Sequence, residues 1–223
     1  MKAVLSNRIY LQADNALATE LDSELTYKIA SFRMGDPPLV IKNMGLVRPG
    51  VVTVPSGRSD LIPAGYEVVD KRVLIPAEFP ELKMPLYKSQ QDVHDEVDSS
   101  CIINASVSWG KTFTALAIAG KLKQKTLVVT HTTNLRDQWI EEIKKMYGFS
   151  PGVIGGGRFD MSSPIVVSNV QTLYKKITET SRAFGTLILD EMHHVSSPTF
   201  TRVIDESFAT YKIGLSGTIE RKD

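Results

Sequence analysis

The sequence predicts an α/β fold for residues 86–223, a parallel sheet with helices on both faces, preceded over residues 1–85 by a small β-rich or α+β module. Three observations predict it. After about residue 86, short apolar runs rich in Val and Ile alternate with longer segments of helical periodicity, and alternation of that kind builds a parallel sheet. Before it, short extended pieces are punctuated by turn residues, the pattern of small strands and their connections. Between the two, Pro76, Pro80 and Pro85 mark a linker over 75–86, because each proline fixes its own backbone and restricts the residue before it.

In the first module the extended pieces are 7–11, 25–32, 39–42, 51–54 and 66–69. They are separated by Gly35-Asp36-Pro37-Pro38, Arg48-Pro49-Gly50, Pro55-Ser56-Gly57 and Pro63-Ala64-Gly65. In the larger part the apolar runs 101–105, 126–130, 165–168, 186–190 and 211–216 are too short for spanning helices and suit buried strands. Helical periodicity runs over 112–122, 135–147, 170–177 and 199–207. In sheets of this kind ligands gather at the carboxyl ends of the strands, so the residues just after each strand carry the chemistry.

Composition narrows the function classes. The 223 residues are 42% hydrophobic and 23% charged, ordinary globular values that exclude intrinsic disorder. Lys+Arg is 26 against Asp+Glu 25, a formal charge of +1, so a polyanion must be gripped locally. The single cysteine, Cys101, excludes an internal disulfide framework and a multi-cysteine zinc site. The N-terminus has no signal-like apolar core, and no run approaches the roughly 18 apolar residues of a membrane span, so the expected location is the cytoplasm.

The first run leads into Ala105-Ser106-Val107-Ser108-Trp109-Gly110-Lys111-Thr112-Phe113, whose Gly-Lys-Thr fits a phosphate loop, with Ala105 where a glycine is usual. A strand turning sharply into a helix converges backbone N–H groups on one point and adds the helix N-terminal charge, so polyphosphate binds there. Lys111 reaches the β and γ phosphates and the Thr112 hydroxyl suits Mg²⁺. At the end of the fourth run stands Asp190-Glu191-Met192-His193. A carboxylate at the tip of a buried strand can hold Mg²⁺, and its neighbour can act on the attacking water, so Asp190 takes the first role and Glu191 the second. A metal site on Glu191, His193 and His194 is not expected, since adjacent histidines on extended backbone point to opposite faces and the His-Glu-x-x-His order is missing. The last run ends in Ser216-Gly217-Thr218.

In that order, Gly110-Lys111-Thr112, Asp190-Glu191-Met192-His193 and Ser216-Gly217-Thr218 resemble motifs I, II and III of superfamily 2 helicases of the DExH type, over residues 86–223. Ser89-Gln90-Gln91 is similar to the glutamine motif that reads adenine, with Gln90 as the contact. Thr130-His131-Thr132-Thr133-Asn134-Leu135 with Gln138-Trp139 resembles motif Ia, and Ile154-Gly155-Gly156-Gly157 resembles motif Ib. Val170-Gln171-Thr172-Leu173 resembles the segment that touches the nucleic-acid backbone. The compact spacing and the N-terminal module look most like phage branch-migration helicases of the UvsW type and the motor subunits of restriction enzymes.

The resemblance implies a RecA-like, P-loop NTPase fold and an ATP-dependent DNA helicase or translocase that uses ATP and Mg²⁺ and remodels branched DNA. Its alternatives are a restriction-type duplex translocase, an RNA helicase, or a nucleic-acid-binding module with a decayed nucleotide site. It assigns nucleotide contact to Gln90 and residues 105–113, metal contact to Thr112 and Asp190, and coupling to His193, Ser216 and Thr218. DNA contact falls to His131, Thr132, Thr133, Gly156, Gly157, Gln171 and Thr172. Single-stranded or branched DNA is the expected partner, a monomer the expected state, and a second RecA-like domain is expected to be missing, which would leave these residues alone inactive. Val107 and Ser108 stand where the family usually has Thr and Gly, and the bulk of Trp109 predicts a less open loop. In the first module Arg48, Arg58, Lys71 and Arg72 are the candidate DNA contacts, with packing or partner docking an equal alternative.

Overall fold

A computed structural model of the chain describes residues 1–29, 37–192 and 197–217, and the chain divides into two compact units, Met1–Arg72 and Val73–Asp223. In the first unit, β1 (Lys2–Leu5), β2 (Ile9–Gln12) and α1 (Asn15–Glu24) are followed by the hairpin of β3 (Thr26–Ile29) and β4 (Leu39–Lys42). Then come β5 (Gly45–Arg48), β6 (Val51–Val54), a 3₁₀ turn (Ser59–Leu61) and β7 (Glu67–Asp70). Five of the strands form one sheet in the order β5-β6-β2-β1-β7, antiparallel except where β1 meets β7. Side chains alternate across a strand, so Ala3, Ile9, Leu11, Val52 and Val54 share one face and bury Leu21 and Leu25 from the helical side. The module is therefore α+β, and α1 is started by the Asp14 carboxylate, which accepts the Leu17 N–H at 2.9 Å.

The second unit contains α2 (Lys88–Glu96), β8 (Cys101–Asn104), α3 (Lys111–Leu122), β9 (Thr126–Thr130), α4 (Thr133–Tyr147), β10 (Gly152–Gly155) and β11 (Arg158–Phe159). It continues with β12 (Ile165–Asn169), α5 (Val170–Tyr174), α6 (Ile177–Thr180), β13 (Thr186–Leu189), α7 (Pro198–Glu206) and β14 (Tyr211–Ser216). The sheet order is β11-β10-β12-β9-β13-β14-β8, parallel throughout except for the β10–β11 hairpin. Alternation sorts the strand residues onto two cores. Val128, Ile165, Val167, Ile188 and Ile213 face α3 and α4, packing on Leu116, Trp139, Ile143 and Met146. Leu127, Val129, Val166, Leu187 and Leu189 face the other way, onto Val170 and Leu173 of α5 and Phe200 and Val203 of α7. Helices thus cover both faces, the arrangement a continuous apolar strand requires.

The expected helix over 170–177 is two short helices, with Lys175 and Lys176 between them. The expected strand over 25–32 is described through Ile29. Residues 75–86, expected to be a linker, belong with Val73 and Leu74 to the second unit. Val73 donates to Phe208 O at 2.8 Å and Thr210 donates back to Val73 O at 3.2 Å; Lys125 donates to Ile75 O at 2.6 Å, and Lys83 donates to Met146 O at 2.9 Å. Phe79 and Leu82 pack against the core. The prolines hold the segment extended, which presents its remaining polar groups to the rest of the unit as a strap. Among the described residues no helix is long and apolar enough to cross a membrane.

Ile143 is fully buried in the core beneath α4, whereas Leu46 is 72% exposed. Urea titration is expected to show Ile143→Ala costing roughly 2–5 kcal/mol and Leu46→Ala changing stability by less than about 0.5 kcal/mol.

Candidate nucleotide site and nucleic-acid edge

Three neighbouring strands, β13, β14 and β8, run parallel, so the residues that follow them emerge side by side. After β8 the chain forms the loop 105–110 and enters α3 through Gly110 at φ 96°. A side chain there would be strained, and its Cβ would meet the Gln90 amide. Ser108 also takes a left-handed conformation, φ 68°, at the position where the family usually has Gly. Lys111 Nζ lies across the loop and donates to Ala105 O at 2.7 Å and Ser106 O at 3.0 Å. A cation already held over the loop's own carbonyls can exchange those weak acceptors for phosphate oxygens. From β14, Ser216 O accepts the Ala105 N–H at 3.2 Å, and Gly217 borders Lys111 Nζ.

A cleft of about 730 Å³ opens at this edge, lined by Val107, Ser108, Gly110 to Phe113, Asp190, Glu191 and Gly217, with Leu135, Gln138, Trp139 and Glu142 from α4. Asp190 is only 8% exposed, and burial raises its carboxyl above the usual carboxylate range, partly offset by a hydrogen bond from Trp139. That bond, from the indole Nε1 to Asp190 Oδ2, is 2.8 Å long. The other carboxylate oxygen takes the Glu191 backbone N–H at 3.0 Å. Glu191 stands at φ 56°, a conformation costly for a residue with a side chain and found where the surroundings impose it. Thr112 and Asp190 supply a hydroxyl and a carboxylate to one cleft, and no cluster of three His, Cys, Asp or Glu suited to a metal occurs among the described residues. That sparse oxygen set fits Mg²⁺, which is held by one or two protein groups with phosphate and water completing its shell.

The carboxyl ends of β9, β12 and β10, a second neighbouring trio, carry the residues read as DNA contacts. Thr132 caps α4, its hydroxyl accepting the Leu135 N–H at 3.3 Å; Thr133 is exposed, as are Gly156, Gly157 and Gln171. Asn169 caps α5 by accepting the Thr172 N–H at 3.2 Å. Sequence reasoning missed Arg136, whose guanidinium lies against Gly155, close enough that a Cβ there would sit 3.0 Å from it, and whose other contact is Asp137. Trp139 was read only as part of motif Ia; an apolar residue followed four positions later by Ile143 signals a core stripe, and nothing local announces a bond to Asp190.

Several expected residues have partners within the chain. Gln90 is buried beneath the phosphate loop, its Nε2 donating to Trp109 O at 2.9 Å and its Oε1 accepting the Tyr87 N–H at 2.9 Å, so it braces the loop. Trp109 packs against the apolar core. His131 stacks on Phe200, ring centroids 6.3 Å apart, and so faces α7. In the first unit Arg58 is held by Glu24 and Asp60, and Arg72 by Asp70. His193 and Thr218 lie outside the described residues.

Residues 83–221 match the family described as type III restriction enzyme, res subunit. The chain belongs to that family of superfamily 2 helicases. “Probable helicase D10” of Escherichia phage T5 is 43% identical over 227 residues, covering 100% of this chain and 50% of its own. “DNA 3'-5' translocase XPB2” of Sulfurisphaera tokodaii is 39% identical over 114 residues, 51% of this chain and 26% of its own length. The chain thus spans half or less of these relatives. Among solved structures, the UvsW helicase from bacteriophage T4 is similar with a TM-score of 0.72 at 20% identity, over 98% of this chain and 93% of that one. The SWI2/SNF2 ATPase core of Sulfolobus solfataricus in complex with dsDNA scores 0.54 at 19% identity, over 63% and 34%. At these identities the likeness is one of fold, and the RecA-like sheet is common to them.

A carboxyl whose folded-state pKa lies above its unfolded value binds its proton more readily when folded, so stability falls as pH rises from the unfolded value through the folded one. Because burial raises Asp190, Asp190→Asn is expected to raise the melting temperature at pH 7, with the gain fading as the pH is lowered into the carboxylate range. Equal melting of the two proteins at pH 7 would contradict it.

Proposed function

We propose that the chain carries the nucleotide-binding half of an ATP-dependent DNA translocase or helicase, which in the whole protein remodels branched DNA. The observation that carries the reading is the convergence of Lys111, Thr112, Asp190 and Glu191 on one cleft at the ends of three adjacent parallel strands, beside a second edge built from helix caps and glycines. The first arrangement suits a magnesium nucleotide; the second suits a phosphate backbone met by N–H groups and hydroxyls, without base reading. DNA is favoured over RNA by the relative named as a DNA translocase, although others are named as RNA helicases.

In this reading Lys111 turns from Ala105 O and Ser106 O to the phosphates, and the N–H groups of residues 108–112 complete the anion cradle. Thr112 and Asp190 hold Mg²⁺, which neutralises phosphate charge when bound. Glu191, held next to Asp190 by its backbone, orients the attacking water and accepts its proton. Ser216 joins β14 to the start of the phosphate loop, so a movement of the segment after it reaches the cleft, and His193 and Thr218 are assigned the same coupling role by resemblance. Gln90 acts on the nucleotide through the loop it braces, and adenine contact requires its amide to leave Trp109 O. Thr132, Thr133, Gly156, Gly157, Gln171 and Thr172 form the track. A monomer working in a cytoplasm is the accompanying proposal.

Titration with a fluorescent ADP is expected to show Lys111→Ala binding at least about ten-fold more weakly, the loss of one hydrogen bond between charged groups. Wild-type affinity in that variant would sink the assignment. In the whole protein Glu191→Gln is expected to retain nucleotide binding and lose about 100-fold or more in hydrolysis, in line with removal of a general base.

A further inference from the structure

A buried carboxylate keeps one direction only when something holds it, because the cost of burying its charge is offset by hydrogen bonds. Asp190 is held from two sides. The Glu191 N–H is local and moves with the backbone, whereas the Trp139 indole arrives from α4, 51 positions away in sequence. Trp139 is 2% exposed and locked in the core with Leu116, Ile143 and Met146, so the indole sets the position of Oδ2. An indole N–H donates and never accepts, which orients the carboxylate without competing for a cation. At its C-terminal end α4 is tied to α3, behind the phosphate loop, by the Tyr147 hydroxyl, which donates to Leu116 O at 2.7 Å. At its N-terminal end it carries Thr132 and Thr133, just ahead of Leu135, which itself lines the cleft.

We propose that Trp139 is a positioning residue that aims Asp190 into the nucleotide cleft, and that α4 is thereby the element through which a phosphate backbone at Thr132 and Thr133 is felt there. The proposal rests on the nucleotide-site reading above. A phenylalanine at this position fills most of the same space and offers no donor. The hydrogen bond is thus separable from the packing.

The chain has two tryptophans, Trp109 and Trp139, so in Trp109→Phe protein the emission comes from Trp139 alone. In the full chain, Mg²⁺ is titrated at a saturating concentration of N-methylanthraniloyl-ADP, for wild type and for Trp139→Phe. The variant's Mg²⁺ midpoint is expected to rise about ten-fold, the size of one lost hydrogen bond to a charged group, with ADP binding in EDTA unchanged. In Trp109→Phe protein the Trp139 emission is expected to move on addition of Mg²⁺ with ADP, and separately on addition of an oligodeoxynucleotide without nucleotide. A purely structural role lowers the melting temperature and leaves the midpoint in place, and an unmoved midpoint would overturn the proposal. Emission unchanged by an oligodeoxynucleotide that does bind would overturn the transmission through α4. If Trp139→Phe does not fold, the emission measurement, made with Trp139 intact, decides instead. Wild type that binds no ADP at all would bring down the nucleotide-site reading itself, and this proposal with it, an outcome distinct from an unshifted midpoint.

Discussion

The second unit depends on one constraint, that β13, β14 and β8 lie parallel and in register. Leu189 stands opposite Gly214, and Ser216 opposite Asn104; from those pairings the phosphate loop, the Asp190-Glu191 pair and Gly217 emerge at one edge. A parallel sheet allows this only if each connection returns the chain to the starting end, usually through a helix, although β10 reaches β12 through the short strand β11. α3, α4, α5 and α7 are such returns, and the two cores they form are the energetic condition for the register. A slip of one residue in any strand would turn Val128 or Ile188 out of one core and into the other.

Most of this sheet is legible in the sequence because its strands are buried on both faces. Runs such as Thr126–Thr130 and Thr186–Leu189 are apolar without alternation, and only a helix-covered strand reads that way. α2 and β10 were illegible for opposite reasons. α2 has a single buried residue, Gln90, and its end is held by Lys121 Nζ, which donates to His94 O, Asp95 O and Val97 O at 2.6, 2.9 and 2.9 Å; its helicity is a tertiary fact. β10 begins and ends with glycine and reads as loop, yet pairs with β12 over Gly152, Val153 and Ile154.

The candidate site divides along the same line. The residues that would touch nucleotide follow strand ends and stand in short motifs, so Lys111, Thr112, Asp190 and Glu191 could be named from spacing alone. A residue that shapes them comes from elsewhere: Trp139 behind Asp190, acting across the fold from a position whose local pattern announces packing. Trp109, beside the motif, packs its bulk against the core. A sequence motif thus locates chemistry better than it describes the geometry of that chemistry.

The strap formed by residues 73–86 bears on where the second unit begins. The family match starts at residue 83, but the hydrogen bonds of Val73 with Phe208 and Thr210, of Ile75 with Lys125, and of Ala77 with Lys123 O, at 3.0 Å, all lie upstream of it. A chain cut at the family boundary would keep every motif and lose partners for backbone groups beside β9 and β14, the strands nearest both candidate ligand edges. The unit that folds is therefore longer than the segment the family model matches. A chain cut at residue 83 would be expected to fray first at the base of the sheet, at the end opposite the candidate cleft.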